Sequence, residues 1–112
     1  VSDCIFCRIA NKEIPSDIVL ETDEVIAFRD LNPQAPTHVL VIPKRHVEGI
    51  AAAGETDPLH ALFAAAAEVA RRENIQNSGY RVVVNEGMHG GQSVFHLHLH
   101  VLGGRVMTWP PG

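Results

Sequence analysis

Residues 95–102 read Phe-His-Leu-His-Leu-His-Val-Leu. Few backbones can use that alternation. On a strand, His96, His98 and His100 share one face, and Leu97, Leu99 and Val101 share the other. On a helix both sets would be smeared around the circumference. A strand over Val94 to Leu102 is therefore predicted, with its apolar side turned to a core. Strand rise would space the imidazoles about 6.6 Å apart. Leu or Val would fill a core better, and Thr or Lys would serve a surface better, so the row points to chemistry.

The chain around this row has 112 residues, enough for one compact domain spanning 1–112. With 46% hydrophobic and 20% charged residues, its composition is that of a globular protein. Nine basic against 13 acidic side chains leave a net charge of −4. The densest basic cluster is only Lys44, Arg45 and His46. That balance argues against a general nucleic-acid binder. No apolar run approaches the roughly 20 residues of a membrane span, and no basic-then-apolar leader opens the chain. The expectation is a cytoplasmic protein with no nucleic-acid and no membrane partner.

Other elements follow from local pattern. Asp3 to Asn11 reads as one or two helical turns. Val19 to Glu21 and Glu24 to Asp30 read as strands around a turn at Thr22-Asp23, with Ile26, Phe28 and Asp30 on one face. Leu31 to Pro36 is a rigid loop. Thr37 to Ile42 is β-branched and apolar, a central strand that Pro43 ends. Asp57 is predicted as the N-cap of a long helix, with Pro58 at its first position. Its buried stripe is expected at Leu59, Leu62, Phe63, Ala66, Val69 and Ala70, and its end near Glu73-Asn74. Tyr80 to Asn85 is a strand, and Glu86 to Ser93 is a loop with three glycines. The class expected is α+β, with an antiparallel sheet and the helix on one face.

Two chemistries suit the histidine row. Imidazoles on one strand face can ligate zinc or iron, but a metal hydrolase would want a carboxylate nearby on the strand, and none is there. An imidazole can instead attack phosphorus while its neighbours polarise the phosphoryl oxygens. Gly87, Gly90 and Gly91 permit close approach of backbone to an anion, and Asn85, Gln92 and Ser93 add donors beside the row. Cys4 and Cys7, in Cys-Ile-Phe-Cys, read as a metal half-site, a redox pair or two core thiols.

His-Leu-His-Leu-His-Val-Leu resembles the signature of the histidine triad (HIT) superfamily. Phe28-Arg29-Asp30, Pro33 to His38, Val41 to Lys44, Val83 to Gly87, Gly90-Gly91-Gln92-Ser93 and Trp109-Pro110-Pro111-Gly112 resemble its branch of nucleotide-binding purine nucleoside phosphoramidases. The likeness spans nearly the whole chain.

The resemblance implies a HIT fold of about five antiparallel strands, one long helix and a short N-terminal helix. It also implies a homodimer whose sheet runs across both subunits. The implied activity is hydrolysis of the P–N bond of purine nucleoside 5′-phosphoramidates without a catalytic cofactor. Dinucleoside polyphosphate hydrolysis, or nucleotide or partner binding with incidental turnover, are the alternatives.

His98 would be the nucleophile that carries the nucleotidyl group, supported by His38, His96, His100 and Ser93. Asn85, Gly91, Gln92, Ser93 and His100 would hold the phosphate, and Asp30 the ribose hydroxyls. Phe6, Ile9, Ile14, Ile26, Phe28 and Leu31 would wall the base. Trp109 would reach the partner subunit's leaving group. Bacterial relatives with the same cysteine pair imply a structural zinc on Cys4, Cys7, His46 and His96, a closed Cys2His2 set.

Overall fold

A computed structural model describes residues 3–112. In chain order the elements are α1 (Ile5–Ala10), β1 (Ile18–Glu21), β2 (Val25–Arg29), β3 (Thr37–Pro43), a 3₁₀ turn (Ile50–Ala52), α2 (Leu59–Arg72), β4 (Tyr80–Val84) and β5 (Leu99–Gly103). The strands form one sheet in the order β1-β2-β3-β5-β4, every neighbouring pair antiparallel. This is the expected α+β architecture, an antiparallel sheet of five strands with one long helix and a short N-terminal one.

Residue parity decides which side chain meets which helix. Val25, Ala27, Val39, Val41, Leu97, Leu99 and Val101 pack with Leu62, Ala65, Ala66, Val69 and Ala70 of α2. Ile26, Phe28, Leu40 and Ile42 pack with Phe6 and Ile9 of α1 on the opposite face. β2 and β3 are therefore buried on both sides, which is why they read as near-continuous apolar runs. Each fully buried aliphatic here contributes about 1.5–3 kcal/mol. The even-numbered residues of β2, β3 and β5 face α1, so Asp30, His38 and the triad gather there.

The structure corrects three local expectations. The last strand begins at Leu99, five residues later than Val94. Val41 pairs with Leu99, so continuing that register would set Leu97 against Pro43, which has no N–H to offer. Leu97 N–H bonds instead to the Val47 carbonyl (2.6 Å). The alternation of faces survives this loss of ladder, because Leu97 still enters the α2 core.

At the start of α2, Pro58 occupies the cap position. Its carbonyl accepts the first helical bond, from Leu62 (3.0 Å). The Asp57 carboxylate accepts from Gly54 N–H (2.7 Å) and faces Arg45, so it does not cap the helix. Phe63 is 48% exposed. It flanks the buried stripe, and Ala65 takes its place within it.

Among the described residues no helix is long and apolar enough to cross a membrane.

Candidate active site and metal cluster

A cleft of about 270 Å³ opens between α1, the end of β2 and the approach to β5. Phe6, Ile9, Ile14, Phe28, Asp30, Leu31, Ser93, His98 and His100, all candidate site residues, line it. The side toward α1 is apolar, and the histidines and Ser93 make the other end polar. Leu31 stands on the rim and is almost wholly exposed. Sequence reasoning missed Ile5, Pro15, Ser16, Asp17, Arg29, Leu40 and Val94. Leu40 had a signal in its parity with Ile42 and His38, and it lies directly opposite His100.

Other predicted residues stand elsewhere. Ile26 is fully buried beneath the wall and is not part of its surface. Gly91 N–H bonds to the Met88 carbonyl and Gln92 N–H to the Gly87 carbonyl (both 3.0 Å), so these amides face into their own loop. The Gln92 side chain accepts from Gly87 N–H (2.9 Å) and donates to the Glu48 and Val94 carbonyls (2.7 and 3.2 Å). It staples the loop. Gly90 is required there, because a Cβ would collide with the Glu86 carbonyl. Gly91 adopts φ +87°, a left-handed conformation that suits glycine. Asn85 lies beside Gly91 and is not among the residues that line the cleft. Trp109 is 80% exposed and sits outside its own chain's cleft. Arg81 donates to the Thr108 carbonyl (2.9 Å) and lies over the Trp109 ring.

The triad is divided. The His98 and His100 rings lie 4.9 Å apart, closer than the spacing of a flat strand, while His96 turns toward His46, also at 4.9 Å. The hydrogen bonds determine how each imidazole carries its proton. His98 Nδ1 lies 2.7 Å from the His96 carbonyl. A carbonyl only accepts, so Nδ1 holds the hydrogen and Nε2 of the neutral ring holds a lone pair.

A second chain begins at Gln34 N–H, which donates to His38 Nδ1 (3.0 Å). His38 Nε2–H then donates to His100 Nδ1 (2.9 Å), which leaves the hydrogen of neutral His100 on Nε2. That atom is buried and has no hydrogen-bond partner among the described residues. Burial, with His98 and His38 close by, lowers the pKa of His100 to about 4. Burial also lowers His38, opposed in part by the Asp30 carboxylate 3.5 Å away. Asp30, His38 and His100 are also close enough to share a cation. The Gln34 bond keeps a hydrogen on His38 Nε2, however, and favours a hydrogen-bond relay over ligation.

On the other side of Phe6, Cys4, Cys7, His46 and His96 bring four donor atoms within 4.8 Å of one another. Cys4 caps α1 and Cys7 follows one turn later on the same side, its N–H donating to Cys4 Sγ (3.4 Å). His96 Nε2–H donates to the Pro43 carbonyl (2.8 Å). Nδ1 is thus left as a lone pair 3.3 Å from Cys4 Sγ and 3.5 Å from Cys7 Sγ. His46 Nδ1 is 3.2 Å from Cys7 Sγ. In a tetrahedral zinc site, sulfur and nitrogen ligands stand about 3.5 Å apart. The donor set, the spacing and the outer-shell carbonyl on His96 all fit zinc. Four protein ligands leave no open position. Sequence spacing had no means of choosing His46.

The family model described as HIT domain matches residues 11–107. The chain is 52% identical to a 14 kDa zinc-binding protein of Zea mays, across 99% of this chain and 89% of that one. A relative of the same description from Brassica juncea is 48% identical, across 98% of this chain and all of that protein. Among solved structures, a HIT family hydrolase from Legionella pneumophila Philadelphia 1 superposes with a TM-score of 0.95 at 48% identity, covering 98% of this chain and 100% of that chain. A histidine triad protein from Clostridium difficile superposes with a TM-score of 0.92 at 42% identity, covering 96% of each chain.

Proposed function

The chain belongs to the HIT family, and from that premise we propose that it is a nucleotide hydrolase. It cleaves the P–N bond of purine nucleoside 5′-phosphoramidates through a nucleotidyl-histidine intermediate. One observation carries the reading: two adjacent imidazoles are held in complementary protonation states. His98 Nε2 offers a lone pair, and His100 Nε2 offers an unpartnered hydrogen. A nucleophile beside an oxyanion donor is what attack at phosphorus requires.

The purine lies against Phe6, Ile9, Ile14 and Phe28, and the ribose hydroxyls donate to Asp30. Ser93 and His100 Nε2–H bond the phosphoryl oxygens. His98 Nε2 forms a bond to phosphorus as the P–N bond breaks, and the amine leaves with the bond's electron pair and a proton drawn from solvent, which the attacking water of the second step gives back. Water then attacks phosphorus and releases AMP or GMP, returning the electron pair to His98 Nε2. His96 takes no part in proton transfer, because its ring belongs to the metal cluster.

Zinc on Cys4, Cys7, His46 and His96 holds α1 to the sheet. The zinc-binding relatives and the donor geometry support this. The chain works as a homodimer, a reading supported by the outer edge of β4, which pairs with no further strand among the described residues, and by the exposed Trp109. A reduced cysteine pair suits the cytoplasm.

The test is incubation with adenosine 5′-phosphoramidate. Release of AMP with ammonia is expected, together with an acid-labile adenylyl group mapped by mass spectrometry to His98. Tight AMP binding without turnover would convert the protein into a binding module. Turnover of diadenosine polyphosphates alone would replace the substrate class.

A further inference from the structure

Phe6 stands between the metal cluster and the cleft. Phe6 lies between the ligands Cys4 and Cys7 on α1. Its ring packs edge-on against the ligand His96 (5.9 Å), against His98 (5.1 Å) and against Phe28 of the cleft wall (5.5 Å). With Ile5 and Ile9 it also forms the apolar side of the cleft.

α1 has only six residues, too few to hold a helix without tertiary anchors. Its buried face is anchored by Phe6 and Ile9 in the core. Its second anchor is the cluster, in which Cys4 and the buried Cys7 join it to His46 beyond β3 and to His96 before β5. The His96 carbonyl in turn sets the tautomer of His98.

We propose that zinc occupancy and nucleotide binding are coupled through Phe6 and His96, so that the metal sets the position of the cleft wall and each ligand tightens the other. This rests on the nucleotide reading of the cleft. A zinc-free chain leaves the α1 wall free to shift away from the sheet, and closing it must then be done by the nucleotide. Binding linkage is reciprocal, so AMP must raise zinc affinity by the factor by which zinc raises AMP affinity. A factor of roughly five to fifty lies within the usual range of such couplings.

The zinc-loaded full chain is titrated with a chromophoric chelator, with and without saturating AMP, and AMP affinity is measured by calorimetry before and after metal removal. The expected result is a matching increase in both directions, with near-ultraviolet circular dichroism showing that the metal-free chain remains folded. Equal zinc affinity with and without bound AMP overturns the proposal. Failure of AMP to bind the zinc-loaded chain overturns the nucleotide reading, and the proposal with it.

If metal removal unfolds the chain, cobalt(II)-substituted protein decides. AMP should then shift the cobalt–thiolate absorption in the wild type and not in Phe6→Leu. A wild-type spectrum indifferent to bound AMP refutes the coupling.

Discussion

Replacing Asp30 should cost affinity in proportion to the ribose hydroxyls a ligand carries. The carboxylate has about four lone-pair positions. One oxygen accepts from Asn32 N–H (2.8 Å) and the other faces His38 Nε2 at 3.5 Å, so about two positions remain for a diol. Hydrogen bonds to a charged group are worth about 1.5–3 kcal/mol. Asp30→Ala should therefore weaken AMP binding by about 2–3 kcal/mol, roughly 30- to 150-fold in Kd. It should weaken 2′-deoxy-AMP by about half that free energy, because one hydroxyl is already missing.

Asp30→Ala also removes the acceptor of Asn32 N–H. Asp30→Asn can keep that bond through its amide oxygen but loses the charge and turns the second acceptor into an NH2 donor, and it should fall between the two. Calorimetric titration of wild type and both variants with AMP, 2′-deoxy-AMP and 2′,3′-dideoxy-AMP closes a cycle in which folding effects cancel. Equal losses for all three ligands would show that Asp30 acts through the fold and not at the sugar.

His98→Ala should leave less than a few per cent of phosphoramidate hydrolysis while AMP Kd stays within about tenfold, measured by product release and calorimetry. Cys4→Ser should lower the melting temperature more than it lowers the rate, since the cluster is closed and lies outside the reacting atoms; elemental analysis should find one zinc per chain. Deleting residues 108–112 should raise KM or change preference among amine leaving groups, with AMP affinity and the circular dichroism spectrum retained.

Acid should destabilise the fold through His100. Its folded pKa of about 4 lies below the ordinary 6.5, so between these values the unfolded chain binds the proton first. The stability is complete above pH 6.5 and is lost as the pH falls to about 4, by at most about 3 kcal/mol. Urea denaturation across that range should show a flatter pH dependence for His100→Asn.

The sequence by itself determined the parity of the fold. Alternation in residues 95–102 separates imidazole from aliphatic whatever the ladder does, because side-chain direction in extended chain depends only on neighbouring residues. The apolar run of β3 marked it as central, and the spacing of Leu62, Ala66, Val69 and Ala70 marked α2. The alternation put Asp30 on one face with Ile26 and Phe28, and His98 with His100 on one face of their own strand; only the family resemblance joined the two sets.

Tertiary structure decided what depends on partners distant in the chain. Pro43, once set against Leu97, delayed the start of the last strand to Leu99. His46 lies 39 residues from Cys7, and only the packing of α1 against the β3 and β5 connections makes it a ligand. The proton positions on His98, His38 and His100 follow from carbonyl and amide groups whose placement is a property of the folded backbone, and no residue pattern encodes them. Gln92 reads as a phosphate donor in one dimension, but in three its groups are taken by the loop it closes, since a buried amide must satisfy its hydrogen bonds where it lies.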